Sequence, residues 1–493
     1  MVDGESRDEG SFDVSSRGSG NLPPANLLSR RTFLELAGLG AAGVALGACS
    51  SGTPSPGAGP HPSGTSLPSF PLGAAAKASG TVTVTMWHSM TSNNKITLQN
   101  LVAKFNASQS KVKVGLVNQA SYTDTFTAYR AGLGSGNLPQ LVQMQSTLLA
   151  DMIDSGSVVP ASAALKADSS FDASDVLAST MAYFTVGGVQ YAMPWNCSSQ
   201  IMYYNTKLFS EAGLDPAKPP LDFEQYHAMA AKLTAKRIVP YGTALKLTSS
   251  NVEDWIAQAG GLLLNHENGR SGRATAVEFG GATGQAIFSF FHEMLASRVA
   301  EPVLNTSFDN LVAIGNGSTA MSIDTSAALG TVLVLLKSGK YASVRLGVGP
   351  LPGLHGPGDG VPYGGAGLYI VRHSTPEQQD GAWQFIKFLL SPESMATWAI
   401  GSGYIPITKS SVATSAIRRA WAAVPQYRVA YEQVASSKSG PATAGGVSGA
   451  LTQIETDITN ALSLMSNGTS AKAALAQAVS TSNQAISSYN STV

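Results

Sequence analysis

Trp87-His88, Tyr122, Gln145-Ser146, Trp195 with Cys197 and Ser198, Thr325-Ser326, Gly364-Gly365 and Tyr404 stand at or just beyond runs with strand composition or a glycine turn. They combine aromatic faces, hydroxyls, amides and bare backbone. That mixture suits a sugar or polyol, whose C–H faces pack on rings while its hydroxyls take directional hydrogen bonds. On the residues alone, Trp87, Tyr122, Trp195 and Tyr404 would wall such a site. Gln145, Ser198, Ser326 and the Gly365 N–H would orient the solute. Each is common as a core, turn or cap residue; the signal is their joint placement.

Catalysis is the competing chemistry. A glycosidase needs two carboxylates facing one another, and the candidates Glu253-Asp254, Asp309 and Asp324 read as solvated acids or caps. There is no G-x-S-x-G elbow, and Cys197 has no histidine in a recognisable local signature. An exported carbohydrate-active hydrolase is therefore kept only as the alternative. No catalytic residue and no cofactor are expected, and two cysteines with seven scattered histidines offer no zinc spacing.

The elements that must position these residues alternate. Thr81–Met86 is a β-branched strand run, and Leu98, Leu101, Val102 and Phe105 follow at the spacing of one helix face. Lys111–Val117 predicts a second strand, Tyr122–Leu133 a helix, Leu141–Met144 a third strand, and Leu148–Ile153 another helix. This pattern predicts α/β units on a largely parallel sheet, with ligands in the crevice at the carboxyl ends of the strands. Farther on, Ala382–Leu390, Ser394–Ile400 and Leu451–Leu464 carry apolar residues at helical spacing, and Asn467-Gly468 parts two tail helices.

The amino-terminal region reads as an address. Ser29-Arg30-Arg31-Thr32-Phe33-Leu34 looks like a twin-arginine export signal. The apolar run Leu36–Ala48 is 13 residues long, too short for a bilayer span of about 20. Leu46-Gly47-Ala48-Cys49 resembles a lipobox, which makes Cys49 the lipidation site. Residues 1–48 are thus expected as a signal peptide and 49–79, rich in Pro, Gly and Ser, as a lipid-anchored linker. With Lys+Arg and Asp+Glu both 31, no basic nucleic-acid footprint is present. Cys197 is left unpaired, so no disulfide framework is expected.

The ordered segments VTMWHSM, NLPQLVQM, YAMPWNCSSQIMYYNTKLFSEAGLDP, GSTAMSIDTSAAL, YGGAGLYIV and WQFIKFLLSPESMATWAIGSGYIPIT resemble the extracellular solute-binding proteins of carbohydrate ABC importers. Within these, the branch that takes sn-glycerol 3-phosphate and glycerophosphodiesters is the most similar. The resemblance implies a two-lobed periplasmic-binding-protein fold, with a hinge of several crossing segments and a ligand cleft between the lobes. Residues 80–200 with 361–410 would form lobe 1, and 201–360 with 411–493 lobe 2. It also implies ABC permease subunits as partners, a monomer, and a place at the outer face of the cytoplasmic membrane.

Carried over by motif, the family's tyrosine after the second strand falls at Tyr122, and its serine in the N-S-S segment at Cys197 or Ser198. A later serine falls at Ser326, the glycine at Gly365, the G-Y-x-P tyrosine at Tyr404, and a tryptophan across the cleft at Trp255. Two positions depart from the pattern. Gln145 or Ser146 stands where the glycerol-phosphate branch has a glutamate. The stretch GPATAGGVSGA, where that branch carries a phosphate-pairing arginine, has no Arg or Lys. Losing that bidentate partner removes roughly 1.5–3 kcal/mol of charge-assisted bonding. A neutral sugar or polyol therefore fits at least as well as a phosphate.

Overall fold

In the computed structural model, which describes residues 67–304 and 308–493, the alternating pattern builds two sheets. The twin-arginine segment, the lipobox and most of the linker lie outside the described residues. The first sheet begins with β1 (Val82–His88), α1 (Ser92–Ser108), β2 (Val112–Asn118), α2 (Tyr122–Ser135) and β3 (Leu141–Gln145). It continues through α3 (Leu149–Asp154), β4 (Val158–Val159) and β5 (Met193–Ser198). Helix α1 buries Leu98, Leu101, Val102 and Phe105, the face its spacing predicts. Ser121 starts α2 by accepting a hydrogen bond from the Asp124 N–H at 3.1 Å, which relieves one of the orphan donors of a helix start.

Only Ser199 separates β5 from β6 (Gln200–Asn205), the first strand of the second sheet. That sheet adds β7 (Tyr241–Leu247), followed by α4 (Ser249–Gln258), then β8 (Ala300–Leu304), β9 (Thr319–Thr325) and β10 (Leu346–Gly349). The chain then returns with β11 (Gly364–Val371), α5 (Pro376–Leu390) and α6 (Pro392–Ser402). It ends with α7 (Leu451–Ser466) and α8 (Ala471–Asn490), packed on each other, with α7 also against α4.

The first sheet runs β2-β1-β3-β11-β4 with β5 on β11, and the second β8-β7-β9-β6-β10. Both are mixed, not largely parallel. Strands β1, β2 and β3 are parallel, but β11 is antiparallel to β3, β4 and β5. Strands β7, β8 and β9 are parallel, but β6 is antiparallel to β9 and β10. The reversed strands are those next to a passage between the sheets. A strand delivered from the other lobe enters opposite to its neighbours, whereas one delivered by a local helical crossover enters parallel to them.

Candidate functional site

In the first lobe the ends of β1, β3, β5 and β11 converge on Asn196. This fully buried amide donates to Tyr122 Oη at 2.9 Å and accepts from Gln143 Nε2 at 2.7 Å. Gln143 Oε1 in turn accepts the Ser89 N–H at 3.0 Å, and Ser89 Oγ meets Thr125 Oγ1 at 2.6 Å. The network fixes where Tyr122 points. Its hydroxyl also bonds Tyr404, and burial holds its pKa well above the ordinary value, so it stays a neutral donor and acceptor.

Tyr404 reaches this point because α6 ends on Gly403, whose φ of 81° turns the chain back. Its ring stacks on Trp398 at 5.6 Å, and Trp398 stacks on Trp195 at 4.3 Å. Trp195 is therefore the fully buried base of an aromatic ladder whose upper ring is Tyr404. Trp87 is also nearly buried. His88 beside it accepts the Met90 N–H on Nδ1 at 3.1 Å, which puts the proton of the neutral ring on Nε2. Burial, then the Lys95 charge, lowers its pKa to about 4, so it is uncharged at neutral pH.

Gly364 and Gly365 open β11 opposite Ser198 and Cys197, inside the ladder and not in a separate turn. Gly365 sits at φ +128°, and a Cβ there would lie 1.9 Å from Asn196 O. Only glycine lets β11 come this close to the hub. Cys197 is buried, its carbonyl accepts the Ile405 N–H at 2.8 Å, and burial pushes its thiol well up. Ser146, buried in the turn after β3, hydrogen-bonds Tyr183, while Gln145 faces a groove of about 530 Å³ lined also by Phe126, Arg130, Asp151, Thr452 and Tyr489.

The second lobe presents Thr325 and Ser326 after β9. The Thr325 hydroxyl accepts the Ala327 N–H at 3.3 Å. Ser326 binds the crossing segment twice: its N–H donates to Ser199 O at 2.8 Å, and its Oγ accepts the Ser199 N–H at 3.2 Å. Asp324 is not a helix cap; it ion-pairs with Lys246 at 3.1 Å. Trp255 lies in that lobe's aromatic core, its indole donating to Pro352 O at 2.7 Å and its ring edge-on to Phe223 at 4.7 Å.

Sequence reasoning missed Asn196, Tyr183 and Glu455, and it read Glu253-Asp254 as solvated. Asp254 is buried and Glu253 half-buried. The only sequence signal for Asn196 was its position between two selected residues. Among the described residues no group of three or more His, Cys, Asp or Glu is placed to hold a metal, and no helix is long and apolar enough to cross a membrane.

This arrangement of two mixed sheets with polar and aromatic groups at facing strand ends is that of a two-lobed binding protein. Residues 100–426 match the family described as bacterial extracellular solute-binding protein. The sn-glycerol-3-phosphate-binding periplasmic protein UgpB of Brucella abortus is 30% identical over 328 residues, 65% of this chain and 74% of that one. The sugar-binding protein MalE of Xanthomonas citri superposes with a TM-score of 0.70 at 20% identity, covering 83% of this chain and 98% of its own. UgpB of Mycobacterium tuberculosis, in complex with glycerophosphocholine, superposes at 0.67 with 18% identity, covering 83% and 99%. The chain belongs to the bacterial extracellular solute-binding proteins.

Proposed function

We propose that this protein captures a sugar, polyol or glycerol-phosphate-type solute between its lobes and delivers it to the permease of an ABC importer. The observation that carries the reading is the Asn196 hub. It brings Tyr122, which bonds Tyr404, to one point at the strand ends of a fold shared with relatives named for binding glycerol 3-phosphate and sugars. Trp87, His88, Gln145, Ser146, Ser198, Thr325, Ser326, Gly364 and Gly365 are assigned to the same cleft. Cys197 and Trp195 support it from below, and Trp255 from within the second lobe. Residues 80–200 with 361–410 form one lobe, and 201–360 with 411–493 the other. Closure on the solute shifts the population toward the form the permease meets.

The chain is exported by the twin-arginine route, lipidated on Cys49, tethered by residues 49–79 to the outer face of the cytoplasmic membrane, and acts as a monomer without a catalytic step. Calorimetric titration of the purified full chain with maltose, ribitol, sn-glycerol 3-phosphate and glycerophosphocholine tests the binding function. Saturable, one-to-one heat with at least one probe, weakened by Tyr122→Phe, is the expected result. Heat from none of them, with turnover of a glycoside, would return the hydrolase. Mass spectrometry of the mature amino terminus, with Cys49→Ser as control, tests the anchor.

A further inference from the structure

The helix Leu329–Lys337 follows Ser326 in the second lobe and reads LGTVLVLLK. Thr331 and the terminal Lys337 are its only polar residues, and residues 332–336 are all aliphatic. A helix that is apolar all round is expected to be buried, yet only Leu329 is. Val332, Leu333, Leu335 and Leu336 are half-buried, and Val334 is 57% exposed. The helix Asp309–Asn316 lies beside it. Phe308 and Val312, 46% and 37% exposed, line one hollow together with Val332, Leu335 and Leu336. Of the side chains lining that hollow only Tyr203, Thr331 and Tyr341 carry a polar atom, and the Tyr203 hydroxyl is spent on Thr325 O at 2.8 Å.

The charge around this face is mostly of one sign. Residues 329–345 hold Lys337, Lys340 and Arg345 and no carboxylate, while residues 308–316 hold one acid, Asp309. All three cations are exposed, and none is ion-paired to a described residue. The Lys340 ammonium stands 5.3 Å from the centre of the Tyr341 ring, which puts a cation at the aromatic rim of the hollow.

The occupant that such a face fits is a bilayer surface with anionic headgroups. Protein partners are held through aromatic and arginine anchors; interface cores are poor in Lys, and Leu and Val are seldom hot spots. Exposed aliphatic side chains fringed by lysines are instead the composition of a segment that lies in the headgroup region, its cations reaching back to phosphate. Nine residues rise about 14 Å, so the helix can rest on a membrane but not cross it. The tether proposed above, residues 49–79, would hold the body within about 30 Å of such a surface.

We propose that the face formed by residues 308–316 and 329–340 docks on an anionic phospholipid bilayer. Phe308, Val312 and Val334 enter the headgroup layer, and Lys337 and Lys340 meet lipid phosphates. Because Ser326 leads into this helix, docking sets the proposed solute cleft close to the membrane that holds the permease. The contact goes beyond the binding function and does not depend on which solute is bound.

The test is co-sedimentation of the mature chain, residues 49–493, with vesicles of phosphatidylcholine alone or mixed in equal parts with phosphatidylglycerol. Cys49→Ser removes the acyl anchor, so that only the folded body can contribute. This protein should bind the mixed vesicles, bind phosphatidylcholine far more weakly, and be released by salt. Joint replacement Lys337→Gln and Lys340→Gln should weaken binding about tenfold or more, from the attraction of each lysine to an anionic surface. Val334→Ser should weaken it several-fold by removing apolar area. The substituted side chains are exposed, and two independent variants are used so that misfolding of one, seen by circular dichroism, leaves the other decisive. Lys472→Gln, on α8 outside this face, should change nothing. Absence of binding to the mixed vesicles overturns the inference, as does equal binding to both kinds or binding that the face variants leave intact. Equal weakening by Lys472→Gln overturns it too, by showing attraction to overall charge. A dimer that Val334→Ser dissolves, with no vesicle binding, would give the face to a second copy of the chain instead. No solute enters the measurement, so failure of the binding function, read by calorimetry, leaves this result standing.

Discussion

Asp154, at the end of α3, and Arg273 make a bidentate ion pair between segments remote in sequence. Arg273 Nη1 and Nη2 reach the two Asp154 oxygens at 2.8 and 2.6 Å, and Tyr489 Oη of the last helix donates to Oδ2 at 2.6 Å. The side chains are 14% and 7% exposed. Arg273→Gln would leave a nearly buried carboxylate with one neutral donor. Removing one partner of a buried pair costs about 3–5 kcal/mol, and the residual exposure of Arg273 places the expectation near the lower end. Asp154→Asn keeps the Tyr489 bond and should cost about 1–2 kcal/mol less. The pairwise part is isolated by a double-mutant cycle from urea unfolding midpoints at pH 7, where we expect a coupling of about 2–3 kcal/mol. A coupling under about 0.5 kcal/mol, the value of an exposed surface pair, would refute the argument that burial makes this contact strong. If the contact breaks when the lobes part, the same variants will weaken solute binding as well; if it lies at the hinge, only stability will move.

Three further outcomes follow from the same interactions. The Glu253 carboxyl is raised from 4.5 to about 7 by burial, so the folded state resists its ionisation and loses stability as pH rises from 4.5 through 7. Glu253→Gln should therefore melt like the wild type near pH 4 and be more stable by roughly 3 kcal/mol at pH 8; a difference independent of pH would contradict this. Cys197 should ignore a thiol-specific disulfide reagent in the native protein and react fully in guanidinium, because burial keeps its thiol protonated; rapid native labelling would show it accessible. Gly365→Ala introduces a Cβ 1.9 Å from Asn196 O at φ +128°. It should cost about 1–3 kcal/mol in backbone strain alone and abolish solute binding by moving Asn196 off Tyr122, with unchanged calorimetry as the refuting result.

What was legible in the sequence followed local rules. The periodicity of α1 predicted Leu98, Leu101, Val102 and Phe105 on its buried face, where Thr97 joins them; Tyr122 was singled out because it follows the second strand run, and Tyr404 because a glycine turn precedes it. Trp195 was harder. All of Met193–Cys197 is buried, and in a strand covered on both faces the period of two carries no information about which side faces a cleft. A ring expected to touch solute is instead stacked behind Trp398. Trp255 is enclosed as fully: Asn251, Val252, Asp254, Trp255 and Ile256 are all buried, so α4 has no clean polar face from which its orientation could be read.

The crossing between lobes was the least legible feature and explains the rest. Ser199 is a single residue between β5 and β6, yet its backbone is held by Ser326 and its hydroxyl accepts from Gln433 Nε2 at 3.1 Å, so three distant segments meet at one peptide. No local pattern encodes such a meeting. It reverses β6 against β9, and so defeats the expectation of a parallel sheet. It also sets Ser326 facing the hinge with its Oγ already accepting a bond, so that what Ser326 has left for a solute is its O–H and one lone pair. The acids Glu253 and Glu455 come from two other elements brought together by packing, and adjacent acids such as Glu253-Asp254 are ordinarily solvated. A sequence that places its aromatics by local rule and its charges by long-range packing reveals that a solute is held well before it reveals which one.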